Sequence, residues 1–145
     1  MELKIKKLRG CASIPTKATK GSAGFDLYAA IENNIEIPAN GNAVIPTGIA
    51  ISLPSEEYVA LIFPRSGLSV KHGISMLNCV GVIDSDYRGE LSVGLINHFK
   101  TSYTIEPGER VAQLLLMPVV AARLLVVDEL DDTERGEKGF GSTGR

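Results

Sequence analysis

Short alternating strands broken by turn residues predict an all-β domain with little helix. Two observations carry that reading. Apolar residues recur at every second position in runs of about four to eight residues, the period of a half-buried strand. Fifteen glycines and seven prolines in 145 residues punctuate those runs, which favours tight turns over long helices. At this length one domain is expected, and a hydrophobic content of 44% is enough for a core.

Taken in order, Leu3 and Ile5 alternate with Lys4 and Lys6. Together with Lys7 and Arg9 they predict an edge strand with one solvated cationic side. Residues 23–29 read A-G-F-D-L-Y-A, an apolar strand carrying a single acid, Asp26. Strands follow at Ile35 and Ile37, at Val44 and Ile45, and at Ile49, Ile51 and Leu53, separated by P-A-N-G and P-T-G. Residues 58–63 form a β-rich run ended by Pro64, and residues 66–72 predict a turn or short helix. Val80 to Ile83 runs into Asp84, Asp86, Tyr87 and Gly89, after which Leu91, Val93 and Leu95 alternate with Ser92 and Gly94. That pattern predicts a β-hairpin over 81–89 with two carboxylates and a phenol at its tip. Residues 111–117 and 119–127 are apolar on both pleat faces. They predict a strand buried on both sides, at the centre of a sandwich or against another subunit. Residues 128–144 turn polar and glycine-rich, the composition of a flexible arm. The expected division is a core over 1–129 and an arm over 130–145. A sandwich, barrel or jelly roll fits this element series.

Bulk properties narrow the function. A net charge of −2 and a pI near 5.7 argue against a general nucleic-acid binder. No run approaches the roughly 18 apolar residues of a membrane span, and the N-terminus lacks the apolar stretch of a signal peptide. A soluble, cytoplasmic protein with no nucleic-acid or membrane partner is expected. Cys11 and Cys79 do not form a disulfide framework, and Cys79, in an apolar run, is expected as a small buried hydrophobe.

Several motifs fail on inspection. Gly139, Gly141 and Gly144 match G-x-G-x-x-G, but one residue remains after Gly144, so no helix can follow. Asp84, Asp86 and Gly89 resemble the start of a calcium loop, yet its fifth and twelfth positions are Arg88 and Leu95. His72 and His98 lack metal-ligand spacing. There is no Walker loop and no G-x-S-x-G elbow. What remains is a dispersed constellation: Asp26; Arg65 and Ser66 at a possible helix start, suited to an anion; Asn78; the Asp84 and Tyr87 tip; Gln113 on a core strand; and Arg135, Lys138, Phe140, Ser142 and Thr143 in the tail. A carboxylate beside a ring suits a site that activates water and holds a flat ligand. Asp86 reads as a turn former.

In this order the chain resembles the trimeric deoxyuridine triphosphatases (dUTPases). The five motifs are A-G-F-D-L-Y-A, P-R-S-G-L-S-V-K-H-G-I, N-C-V-G-V-I-D-S-D-Y-R-G-E-L, G-E-R-V-A-Q-L-L-L-M-P and R-G-E-K-G-F-G-S-T-G, spanning 23–144. The resemblance implies a distorted jelly-roll or β-clip homotrimer with active sites at subunit interfaces. It implies hydrolysis of dUTP to dUMP and pyrophosphate, with Mg2+ held mainly by the triphosphate. Such an activity keeps uracil out of DNA and supplies dUMP for dTMP synthesis. Asp84 would activate the water that attacks the α-phosphorus. Tyr87 would pack on the deoxyribose and leave no room for a 2′-hydroxyl. Asn78, Val82 and Ile83 would read the uracil edge. Arg65, Ser66, Gly67 and Gln113 would contact the phosphates, and Asp26 the metal's water shell. In the arm, Arg135 would meet the γ-phosphate and Phe140 would stack on uracil, with Gly141, Ser142 and Thr143 closing over the phosphates. Lys138 departs from the fifth motif, where many members carry glycine, and limits positive φ there. A dCTP deaminase of the same fold and a dUTP-binding regulatory protein are the alternatives. The intact I-D-S-D-Y and fifth motif disfavour the first, and the compact length, with no inserted segment, disfavours the second.

Overall fold

The computed structural model describes residues 2–139. Among them, eleven strands and one short helix run in the order β1 (Lys4–Lys7), β2 (Phe25–Tyr28), β3 (Ile35–Ile37), β4 (Asn42–Pro46), β5 (Ile49–Ser52), β6 (Tyr58–Phe63), α1 (Ser66–His72), β7 (Ile74–Met76), β8 (Gly81–Ile83), β9 (Ser92–Asn97), β10 (Tyr103–Ile105) and β11 (Arg110–Pro118). All pairings are antiparallel. They form a four-stranded sheet β2-β11-β6-β8, a three-stranded sheet β4-β9-β7, and the ribbons β1-β5 and β10-β3. The strand series leaves sandwich, barrel and jelly roll open; the structure is the distorted jelly roll that the family resemblance implies.

One core lies between the sheets. Leu27, Ile62 and Leu114 from the first sheet meet Ile45, Val93 and Leu95 from the second, all nearly inaccessible to water. Each such side chain contributes about 1.5–3 kcal/mol by leaving water. Period-two alternation decides which face is buried: in β9, Val93, Leu95 and Asn97 point in while Ser92 points out. Asn97 is fully buried and satisfied, donating to the carbonyls of Ile37 and Thr101 and accepting from the Phe99 N–H. Helix α1 ends at Gly73, whose φ of 69° makes a left-handed cap. The Phe99 ring lies where a Cβ on that glycine would stand.

Three expectations are corrected. First, residues 81–89 do not form a hairpin. β8 pairs with β6, whereas β9 pairs with β4 and β7 in another sheet. The segment 84–91 therefore crosses between sheets, because the apolar faces of β8 and β9 find separate neighbours. Second, residues 119–127 form no strand. β11 stops at Pro118, and the Val119 N–H still reaches the Glu57 carbonyl. Among the described residues, no strand lies beside residues 120–127. Val120 and Val126 are 93% and 95% exposed. Third, Cys79 is exposed, with a left-handed φ of 63°, in the turn between β7 and β8. The apolar run around it belongs to the flanking strands. The expected cationic edge strand is present as β1, with Lys4, Lys6 and Lys7 exposed and Ile5 half-buried.

Candidate active site

The four-stranded sheet builds one cleft from its own register. β11 lies between β2 and β6, and Gln113 stands opposite both Asp26 and Phe63. Directly opposed residues bring their Cβ atoms to about 4.5–5.5 Å, so Gln113 and Asp26 share a face. A register shift between Arg110 and Ala112 marks a bulge, and Val111 and Ala112 are buried in succession. Such a bulge re-aims the side chain beside it: Arg110 turns toward Asp26. Pro64 ends β6 and leaves Arg65 extended just before α1.

Asp26 is 8% exposed and carries two cations. Its Oδ1 accepts from Arg65 Nε at 2.8 Å and its Oδ2 from Arg110 Nη1 at 3.2 Å. One buried carboxylate thus fixes two guanidinium groups, leaving a net positive cluster. Gln113 Nε2 donates to the Pro64 carbonyl at 2.9 Å, holding the turn that carries Arg65. Gly24 lets β2 come close, since a Cβ there would press on the Leu115 and Gln113 side chains. The result is a cleft of about 180 Å³ lined by Asp26, Arg65, Ser66, Gly67 and Gln113 together with Ala18 and Ser22 of the loop before β2. Its cations and amide donors suit a phosphate chain.

A second cleft, of about 330 Å³, forms at β8 and the crossover after it, lined by Val82, Ile83, Asp84, Tyr87, Glu90, Leu91 and Ser92. The Tyr87 N–H donates to the Asp84 carbonyl at 3.2 Å, closing a turn around Ser85 and Asp86. Asp86 lies exposed within that turn. The Asp84 carboxylate is exposed and, among the described residues, has no hydrogen-bond partner. The Tyr87 hydroxyl donates to the Glu90 carbonyl. Glu90 in turn takes Arg9 in a two-pronged ion pair and accepts the Gly48 N–H. The Arg9 hydrogen bond, above all, holds the Glu90 carboxyl below its ordinary pKa.

A family model for dUTPase matches residues 11–144. The chain belongs to the dUTPase family. It is 49% identical over 132 residues to the deoxyuridine 5'-triphosphate nucleotidohydrolases of Salmonella typhimurium and Salmonella enteritidis, covering 91% of this chain and 87% of each. Among solved structures, the Staphylococcus bacteriophage 80alpha dUTPase with dUPNHPP superposes with a TM-score of 0.90 at 33% identity, covering 99% of both chains. A variant of the dUTPase from phage phi11 of S. aureus superposes at 0.82 with 26% identity, covering 91% of this chain and all of that one. That structure describes the coordination of a structural Mg(II) ion.

The residues singled out in this dUTPase sequence fall into three places. Asp26, Arg65, Ser66, Gly67 and Gln113 line the first cleft, and Val82, Ile83, Asp84 and Tyr87 line the second. Asn78 is exposed in the turn at the opposite end of β8 from Asp84. Arg135 lines neither cleft; its Nε donates to the Lys138 carbonyl in an exposed turn. Phe140, Gly141, Ser142 and Thr143 lie outside the described residues. The positive φ of that turn falls on Gly136, not on Lys138. Sequence reasoning passed over Arg110, Glu90, and Ala18 and Ser22 of the first cleft. Arg110 stands in the motif that supplied Gln113, and a demand that Asp26 be paired would have pointed to it. Glu90 stands in the motif that supplied Asp84 and Tyr87, but its residue type and spacing give no sign of its partner Arg9.

Proposed function

We propose that this protein hydrolyses dUTP to dUMP and pyrophosphate at composite sites, each assembled from more than one copy of the chain in a homotrimer. The observation that supports this is the position of the clefts on β6. Ile83 pairs with Ala60, so Asp84 follows opposite Val59, at the start of β6, whereas Arg65 follows its end. Six residues of strand separate them, about 20 Å at the usual rise. A base acting on the α-phosphorus must reach a water in hydrogen-bond contact with it. Phosphates held by Arg65 therefore meet the Asp84 of another copy. The exposed apolar residues Val120, Leu124, Leu125 and Val126 supply surface that a second copy would cover.

In this reading Arg65, Ser66, Gly67 and Gln113 hold the triphosphate, with Arg110 and Asp26 fixing Arg65. Asp84 takes a proton from water as its oxygen bonds the α-phosphorus. The bond from the α-phosphorus to the bridging oxygen breaks, and pyrophosphate leaves. Tyr87 packs on the deoxyribose, while Val82, Ile83 and Asn78 read the uracil edge. Residues 130–145 act as an arm, bringing Arg135, Phe140, Gly141, Ser142 and Thr143 over the substrate. The donor set fits Mg2+ carried by the phosphates, with Asp26, the cleft's one carboxylate, placed to meet the ion's water shell. Asp26 keeps lone pairs free to accept from metal-bound water. When bound, the ion offsets charge developing on the phosphate oxygens. Among the described residues no helix is long and apolar enough to cross a membrane, and a cytoplasmic placement belongs to the same proposal.

Pyrophosphate release measured in parallel with dUTP, dTTP, UTP and dCTP tests the reading. Turnover of dUTP alone, dependent on Mg2+, is expected. Ammonia release from dCTP would replace it with a deaminase, and dUTP binding without turnover would leave a regulatory protein.

A further inference from the structure

We infer that Arg9 and Glu90 are positioning residues for sugar selection, clamping the crossover that carries Tyr87. The inference rests on the proposed placing of the Tyr87 ring against the deoxyribose. A ring that excludes a single oxygen has to resist displacement by less than an ångström, yet it stands on a segment that pairs with neither sheet. Tyr87 is 44% exposed. Its phenol is fixed through the Glu90 carbonyl, to which the hydroxyl donates at 3.1 Å. Gly89 leaves room for that approach, since a Cβ there would overlap the hydroxyl.

What fixes Glu90 comes from outside the crossover. Its Oε1 accepts from Arg9 Nε at 2.8 Å and from the Gly48 N–H at 2.8 Å, and its Oε2 accepts from Arg9 Nη2 at 3.0 Å. The fork is bidentate, the geometry that adds orientation as well as attraction. The neighbouring Leu91 N–H reaches the Ile49 carbonyl, and the Thr47 N–H and hydroxyl both reach the Leu91 carbonyl. On the far side, the Leu8 N–H donates to the Gly48 carbonyl. The segment before β2 and the turn between β4 and β5 therefore grip Glu90 together, and its carbonyl holds Tyr87. Arg9 touches neither substrate nor reacting atoms in this arrangement; it acts through Glu90.

The test compares kcat/KM for dUTP and for UTP. Arg9→Ala and Glu90→Ala are expected to lower the dUTP-to-UTP ratio about tenfold, mainly by admitting UTP, since a displaced pocket wall loses discrimination of this order. Arg9→Lys, which keeps the charge but loses the fork, is expected to fall between. Tyr87→Phe removes the hydroxyl link and is expected to match Arg9→Ala. Because both act on one linkage, the double variant loses no further selectivity. A ratio within twofold of wild type in Arg9→Ala, or additive losses in the double variant, would overturn the clamp. Glu90→Gln gives the same reading if either alanine variant does not fold. Wild-type protein that turned over UTP as readily as dUTP would instead sink the sugar-facing role of Tyr87, and the clamp with it.

Discussion

The two clefts of this chain are built on opposite plans. Around Asp26, three paired strands, a bulge and a buried carboxylate hold every charged group against another. Around Asp84, a crossover between sheets leaves the carboxylate exposed and without a partner among the described residues. The difference fits the roles proposed for the two clefts. Groups that hold a polyanion gain from being locked in advance, because their entropy is then lost on folding rather than on binding. A base must keep its lone pairs for water, and a structural ion pair would consume them. Sheet serves the first purpose and loop the second.

Asp84→Asn puts the largest strain on this contrast. Turnover is expected to fall by about 10²–10⁴-fold, the range for loss of a general base, while dUTP binding measured by calorimetry persists. Near-normal turnover would remove Asp84 from the chemistry. Next comes Arg65→Ala, inactive through the other cleft. Refolded as an equal mixture with Asp84→Asn, it is expected to regain roughly a quarter of wild-type activity, the share of composite sites that receive both intact halves. A mixture as inactive as its parents would place both clefts' work within one copy.

A smaller effect is expected from Asp26→Asn. The buried side chain would leave Arg65 and Arg110 without their anion, at about 1–3 kcal/mol, read as a lower midpoint in thermal unfolding. KM is expected to rise more than kcat falls, since Arg65 loses its orientation. The smallest effect concerns pH. Glu90 is held below its ordinary pKa chiefly by the Arg9 hydrogen bond, so its contribution is complete above the free glutamate value of about 4.3. It is lost as pH falls through the lower folded value. Glu90→Gln is expected to flatten that acid limb in urea titrations, leaving the stability difference at neutral pH modest because Arg9 is exposed.

Local pattern misplaced much of the second region, although Val82, Ile83, Asp84 and Tyr87 do line one cleft. The alternation of Leu91, Val93 and Leu95 and the apolar run before Asp84 are both genuine strands. Periodicity reports that a strand has a buried face, not which strand lies beside it, so two adjacent strands read as a hairpin. Residues 119–127 failed for a related reason: an apolar run signals surface that must be covered, and the covering surface need not belong to the same chain. Arg110 is present in the motif that supplied Gln113, but what aims it at Asp26 is a bulge, a feature of pairing rather than of composition.

The amino-acid order by itself determined the β class, the positions of most strands, the short helix and the residue types at both clefts, because these depend on period, turn chemistry and motif. It also carried the family, through five motifs in the family's order. Only the tertiary structure decided that Asp84 and Arg65 stand at opposite ends of β6, that Asp26 anchors two arginines, and that Glu90 ties the Tyr87 crossover to Arg9. Each of these joins residues distant in the chain, Asp26 to Arg110 and Arg9 to Glu90 among them. Such pairs are set by which sheet each strand enters. Strand partnership is a global choice of lowest free energy, and no local window of sequence records it.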